Sequence, residues 1–128
     1  MLKDKLKPII YIQLLHIAGA IVWNVSGVLL VARGLRSPGP TASLGVAVLM
    51  FVLGMGMVVG MYRWITVYVV ASAVALFGAL SAVVNAFTAD PALWPSDFWR
   101  YTGVFLNGFG VSGAILGILV VVKWRQRK

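Results

Sequence analysis

Four long apolar stretches cover most of this 128-residue chain and constrain its fold more than any other feature. They run over Ile9–Ala32, Leu44–Tyr62, Ile65–Phe87 and Tyr101–Val122. Each has the ~20 mainly apolar residues that a helix needs to cross a hydrocarbon layer of ~30 Å. Because the stretches leave no room for a soluble domain, the sequence predicts a single transmembrane domain over residues 1–128.

The composition supports a bilayer rather than water as the solvent. Hydrophobic residues make up 61% of the chain, against ~45–50% in soluble proteins. Only helices and closed barrels satisfy their backbone polar groups in lipid, and continuous apolar runs without strict alternation favour helices. We therefore predict an all-α, integral membrane four-helix bundle. The first stretch is about twice as long as the ~7–15-residue apolar core of a cleaved signal peptide, so we expect it to be retained as a helix.

Lysine and arginine residues are distributed unevenly between the two ends of the predicted helices. Eight of the eleven lie before the first stretch, between the second and third, or after the fourth: Lys3, Lys5, Lys7, Arg63, Lys123, Arg125, Arg127 and Lys128. The other two connections contain Arg33, Arg36 and Arg100. By the positive-inside rule this distribution places the N-terminus and the C-terminus in the cytoplasm. We expect a multi-pass protein of the cell membrane, specifically the bacterial inner membrane.

The net charge of +8 does not require a nucleic-acid partner. Basic side chains beside membrane helix ends set the topology and meet anionic lipid headgroups. The lipid bilayer is therefore a sufficient partner for this charge, and we expect no binding of nucleic acid.

The longest predicted connection is the outer loop Thr88–Arg100. Asp90 directly before Pro91 predicts a short capped turn, and Ser96 is predicted to cap the fourth helix with its side-chain oxygen. The aromatic residues here are predicted to lie in the outer aromatic belt of the membrane interface: Trp94, Trp99 and Tyr101.

Small residues recur at helical spacing in the second and fourth stretches. The positions predicted to pack helices together are Gly56, Gly60, Gly110, Gly113 and Gly117. Membrane helices associate through close backbone approach at such residues, since lipid tails are as apolar as leucine. Two uses remain open for these faces: packing within one chain, or an interface with a second copy or another membrane protein.

Few polar side chains interrupt the apolar stretches, and each costs free energy in hydrocarbon unless it finds a partner. We predict that five of them line a polar cavity within the bundle: Gln13, His16, Asn24, Asn85 and Asn107. By their depth, Asn24, Asn85 and Asn107 are further predicted to form a hydrogen-bonded cluster in the outer leaflet.

His16 is the only histidine, and the chain has no cysteine. One interpretation is a neutral imidazole bonded to a serine, a glutamine or a backbone carbonyl. The other is a ligand for Cu(I) or haem iron, since imidazole combined with methionine sulfur suits both. The methionines lie at helical spacing, which favours packing, so we predict no metal site and no cofactor.

The first stretch contains Leu15, His16 and the residues up to Trp23, followed by Gly27. This His…Trp…Gly pattern resembles the first helix of CopD-like and related bacterial membrane families. In several of these families the histidine belongs to a haem-binding or metal-binding set, which the resemblance transfers to His16 alone. The chain departs from the pattern because it lacks a second histidine, so one chain cannot supply bis-histidine ligation of haem.

Acid–base catalysis within the membrane has no residues to support it. The only acidic residues are Asp4, Asp90 and Asp97, which lie outside the apolar stretches, so a buried carboxylate pair cannot form. The chain is similar in length and helix number to small multidrug exporters, but it lacks the acidic residue that those proteins carry in their first helix. We therefore predict that the protein is not an enzyme.

Three functions remain open. The favoured one is a non-catalytic membrane subunit or assembly factor that docks a larger membrane protein, or a second copy, through its lipid-facing surface and outer loop. The second is a carrier of a small molecule or lipid that uses the polar cavity. The third is a haem, copper or quinone site centred on His16.

Overall fold

The computed structural model describes residues 1–128 and consists of four long α-helices joined by short connections. The helices are α1 (Leu2–Ala32), α2 (Leu44–Tyr62), α3 (Ile65–Thr88) and α4 (Asp97–Arg125). All four are long and apolar enough to cross a membrane. The predicted all-α, four-helix class is confirmed. Helices α1 and α4 extend beyond the apolar stretches by one or two polar turns at their ends.

The helices form a ring in which each packs on its neighbours in sequence, and α4 packs on α1. Helices α1 and α3 are therefore diagonal to each other. Both chain termini lie at one end, together with the turn between α2 and α3. There Lys3 Nζ lies 5.7 Å from the centre of the Tyr62 ring, and Arg125 Nη2 donates to Thr66 Oγ1 at 3.4 Å. We call this the terminal end, and the opposite end the loop end.

The surface of the bundle is apolar, and several of its polar side chains are inside. Phe105 is 77% exposed and Phe77 is 75% exposed. The side chains of Gln13, His16 and Ser72, in contrast, are buried. This arrangement suits hydrocarbon as the surrounding solvent. Lipid tails cannot form hydrogen bonds, so polar side chains find their partners inside the protein. It agrees with the assignment as a multi-pass membrane protein.

Helices α2 and α3 approach most closely near the terminal end. Gly60 lies directly against the backbone of Tyr68, and a Cβ atom placed there would collide with it. One turn further along, a Cβ on Gly56 would come within 3.3 Å of the Ala71 Cβ. The apolar core is concentrated here, and includes Leu6, Ile10, Met57, Met61 and Val121.

The connection between α3 and α4 follows the prediction at one cap and departs from it at the other. Asp90 Oδ1 accepts a hydrogen bond from the Ala92 amide at 2.9 Å, and a single 3₁₀ turn follows over Pro91–Leu93. Ser96 does occupy the N-cap position of α4, but its side chain makes no capping hydrogen bond. The prediction for the Ser96 side chain was therefore wrong.

The two loops of the loop end are fastened together over the bundle. Arg36 Nη2 donates to the backbone oxygens of Ala92 at 2.7 Å and Trp94 at 3.1 Å. Trp94 is only 6% exposed, so its predicted place in an aromatic belt was wrong. Because Arg36 holds the Trp94 carbonyl, the loop folds inward and the indole ring fills space within the bundle.

Candidate ligand cavity at the loop end

The terminal half of the bundle is closed by a hydrogen-bonded network across its centre. Tyr68 Oη donates to Gln13 Oε1 at 2.9 Å, and Gln13 Nε2 donates to Ser72 Oγ at 3.0 Å. All three side chains are buried. The amide thus links α1 to the diagonal helix α3 with both of its ends occupied. Gln13 lies outside the cavity described below, although the sequence placed it among the lining residues.

His16 lies one turn further toward the loop end and is also buried. Its Nε2 lies 3.5 Å from Asn107 Oδ1. A Cβ on Gly110 would be 2.5–2.6 Å from the Cε1, Nδ1 and Cδ2 atoms of the imidazole. These nearly equal distances show that the ring lies flat against α4 at Gly110. The partner of His16 is a side-chain amide, and not the serine, glutamine or carbonyl that we expected.

The surroundings of His16 are the backbone of α4 and a side-chain amide. The imidazole face is covered by α4 at Gly110, its nearest polar neighbour is the amide of Asn107, and His16 does not line the cavity. No group of three histidine, cysteine or acidic residues is positioned to hold a metal ion. The imidazole forms part of the contact between α1 and α4, and a haem, copper or quinone site at His16 stays a prediction.

The three asparagines do not form the predicted cluster. Asn24 donates to the Ala20 carbonyl at 2.8 Å and accepts from the Ser43 amide at 3.0 Å. Asn107 donates to the Gly103 carbonyl at 2.9 Å. The asparagines lie on three different helices, and a cavity separates them. Asn24 and Asn107 therefore bond to other groups rather than to each other.

The cavity lies between the four helices in the loop half of the bundle and has a volume of about 570 Å³. Pockets that hold small molecules occupy roughly 300–1,000 Å³ and are mostly apolar with a few polar groups. The polar lining comprises Asn24, Thr41, Ser81, Asn85, Arg100 and Asn107. The larger apolar lining includes Trp23, Leu49, Met50, Leu53, Val74, Trp94 and Leu106. The size and the lining of the cavity match those of a small-molecule site.

The cavity exists because α3 presents small residues where the helices are no longer in close contact. A Cβ on Gly78 would find no atom within 4 Å, in contrast to the collision at Gly60. Ser81 and Ala82, the next lining residues of α3, are also small. Close packing near the terminal end and open space near the loop end therefore belong to the same pair of helices.

The cavity opens at the side of the bundle. Its exposed helical lining residues are on α2 and α3, and include Val46, Leu49 and Val74. On α1, Asn24 is buried. At the loop end the cavity is bordered by Gly39–Thr41 and by Trp94, and the Gln13 network closes the terminal half. The exposed lining residues therefore place the side opening of the cavity at α2 and α3.

Trp23 connects the loop cover to the cavity wall. Gly39 packs against its indole ring on one side, and Gly103 of α4 lies near the same ring. Trp99 packs edge-on at 6.0 Å between ring centres. These contacts hold the first loop close to the bundle, because a side chain at Gly39 would collide with the indole.

Arg100 is the one charged residue in the lining. Its side chain is 15% exposed and pairs with Asp97 at 3.0 Å through Nη2. The same nitrogen donates to Tyr101 Oη at 3.1 Å, while Nε is buried without a hydrogen-bond partner. From the sequence, Arg100 was interpreted only as a topology charge. Its position three residues before Gly103 and seven before Asn107 places it on the same helical face, and this spacing could have identified it.

No family model, curated protein or solved structure matches the chain. The class of protein therefore follows from its own geometry: a four-helix, multi-pass membrane protein with a lateral cavity in one half of its bundle.

Proposed function

We propose that this protein is a non-catalytic carrier of the bacterial inner membrane that holds a small amphipathic molecule or lipid in the loop-end cavity. The observation that carries the proposal is the cavity of about 570 Å³, mostly apolar and with exposed lining residues on α2 and α3. Access from the side suits a ligand that is already dissolved in the bilayer. A closed terminal half and a covered loop end retain it there.

The cavity favours this function over the docking role that we favoured from sequence. Docking was expected to use the aromatic residues of the outer loop, but Trp94 is buried. Fewer aromatic side chains are therefore free to anchor a partner. A role as a subunit or assembly factor stays a prediction. Extraction in mild detergent tests it, and recovery of this chain alone at one small mass would contradict it.

Cavity filling provides the direct test of the carrier proposal. A Cβ atom added at Gly78 or at Gly108 would have no other atom within 4 Å, but only Gly78 lines the cavity. Gly78→Phe is therefore expected to occupy the cavity, whereas Gly108→Phe adds the same side chain to another helix outside it. Native mass spectrometry from lipid nanodiscs should detect a bound small molecule in the wild type and in Gly108→Phe, and none in Gly78→Phe. The same bound mass in all three proteins, or in none, would count against a carrier.

A further inference from the structure

We propose that the molecule held in the loop-end cavity is an anionic amphiphile whose carboxylate or phosphate group pairs with the guanidinium of Arg100. This inference rests on the proposed function and adds the charge of the ligand and its orientation. Three features of the site support it: the charge of the lining, the incomplete hydrogen bonding of Arg100, and the change in polarity along the cavity.

The sign of the charge in the lining is positive. Arg100 is its one ionised residue, and the lining contains no aspartate or glutamate. The acidic partner of Arg100 is Asp97, whose side chain is 71% exposed. A solvated carboxylate at the rim compensates a mostly buried guanidinium weakly, because water screens the pair. The field within the cavity therefore favours an anion over a neutral or cationic molecule.

The hydrogen bonding of Arg100 is incomplete on the protein side. Both of its side-chain partners use Nη2, and Nε is buried without an acceptor. Buried polar groups almost always have a partner, and Nε is the donor of Arg100 that no protein group occupies. Carboxylates and phosphates bind guanidinium through two parallel N–H donors. Because Arg100 lines the cavity and Nε has no protein partner, we expect a ligand anion to use this donor.

The polarity of the cavity changes along the helix axis. Asn85 and Arg100 supply polar lining toward the loop end. Val74 lies eleven residues before Asn85 on α3, which is ~16 Å deeper along the helix. Leu53 and Met50 border the same deep region. An amphiphile therefore fits with its headgroup at the loop end and its tail in the apolar part or in the gap between α2 and α3.

Quenching of tryptophan fluorescence can test the charge of the ligand. Trp23 and Trp94 line the cavity, and the other three tryptophans, Trp64, Trp99 and Trp124, do not. A protein with those three replaced by phenylalanine reports on the cavity from nanodiscs of phosphatidylcholine. The probes are dibromostearate as its ionised salt, its methyl ester, and the phosphate monoester of the matching alcohol. The two anions are expected to quench saturably, with affinities at least about tenfold tighter than that of the ester.

The role of Arg100 is isolated by variants at the loop end. Arg100→Gln should reduce the affinity of both anions to that of the ester, and unchanged ester binding shows that the variant is folded. Arg33→Gln removes a basic side chain outside the lining and should keep the preference. Asp97→Asn removes the competing carboxylate and should keep or tighten anion binding.

The outcomes separate this inference from the function on which it rests. Equal affinities for ester and carboxylate in the wild type would overturn the anion inference and leave a carrier of neutral molecules. Retained anion preference in Arg100→Gln would overturn the assignment to Arg100. If none of the three probes quenched saturably, the carrier proposal would fail together with the inference.

Discussion

The buried polar side chains are of two kinds, and the difference is their hydrogen bonding. The Gln13 amide uses its oxygen and its nitrogen on Tyr68 and Ser72, each on the diagonal helix. Arg100 leaves its Nε without an acceptor. In a bundle surrounded by hydrocarbon, a fully bonded group stabilises the fold, whereas an incompletely bonded charge indicates a site for something else. We therefore assign Gln13 to structure, and this difference supports the proposal that Arg100 binds a ligand.

The Gln13 network should behave as one energetic unit. Gln13→Leu and Tyr68→Phe are each expected to destabilise the bundle by about 1 kcal/mol, because each leaves a buried partner unbonded. The double variant should lose less stability than the two single variants lose together. We expect a coupling energy of ~0.6–1.7 kcal/mol, as found for hydrogen bonds in membrane proteins. Reversible unfolding in mixtures of a mild detergent and SDS measures the free energy of unfolding of the two single variants and the double variant. Ser112→Ala, which removes an exposed hydroxyl bonded to its own helix, should change little; strict additivity would refute the network.

At the scale of the helices, glycines determine how closely neighbours approach. Gly110 lies against the imidazole of His16, and Gly117 lies against the Tyr68 hydroxyl. Gly60 contacts the Tyr68 backbone, whereas Gly78 has open space before it. The bundle is therefore tight where glycine meets a large side chain or a backbone, and open where small residues of α3 meet no partner. The same residue type produces the packed half and the cavity.

Alanine substitutions should separate these two uses of glycine. Gly110→Ala should lower the stability of the bundle by ~1–3 kcal/mol, because a Cβ 2.5 Å from the imidazole forces α1 and α4 apart. Gly78→Ala adds the same methyl group to open space, and should be neutral or stabilising by up to ~1 kcal/mol through better helix propensity. Thermal unfolding in detergent, followed by circular dichroism, compares the two. Equal stability of both variants would mean that the contact at Gly110 is not tight in solution.

On the scale of the whole molecule, the basic residues and the cavity lie at opposite ends. The terminal end carries eight of the eleven lysines and arginines, and the cavity lies in the loop half. If the positive end faces the cytoplasm, as we propose, the cavity opens into the outer leaflet. A ligand would then come from, or pass to, the outer half of the membrane.

Cysteine labelling can establish this orientation, because the chain has no cysteine of its own. Ser96→Cys marks the loop end and Gln126→Cys marks the terminal end, and both positions are exposed. A membrane-impermeant maleimide added to intact cells should label Ser96→Cys, and should label Gln126→Cys only after the inner membrane is permeabilised. The reverse pattern would place both termini outside and the cavity in the inner leaflet.

The helices and their connections could be predicted from sequence alone. The limits of α2 agree with its apolar stretch, and α3 differs by one residue at its end. Asp90 was also predicted correctly as the cap of a short turn. These features are local: backbone groups in lipid must pair within their own helix, and a cap acts on amides two or three residues away. Hydropathy and a few side chains therefore carry enough information.

The cavity and its residues were decided by the tertiary structure. Asn24, Asn85 and Asn107 share one cavity without bonding to each other, and Trp94 turns inward because Arg36 holds its backbone. Arg100 becomes a lining residue only once α4 is placed against the other helices. Each of these facts depends on where neighbouring helices diverge, which is set by contacts between residues far apart in the chain. The sequence by itself determined four helices that are long and apolar enough to cross a membrane; the way they separate at the loop end determined where the cavity lies.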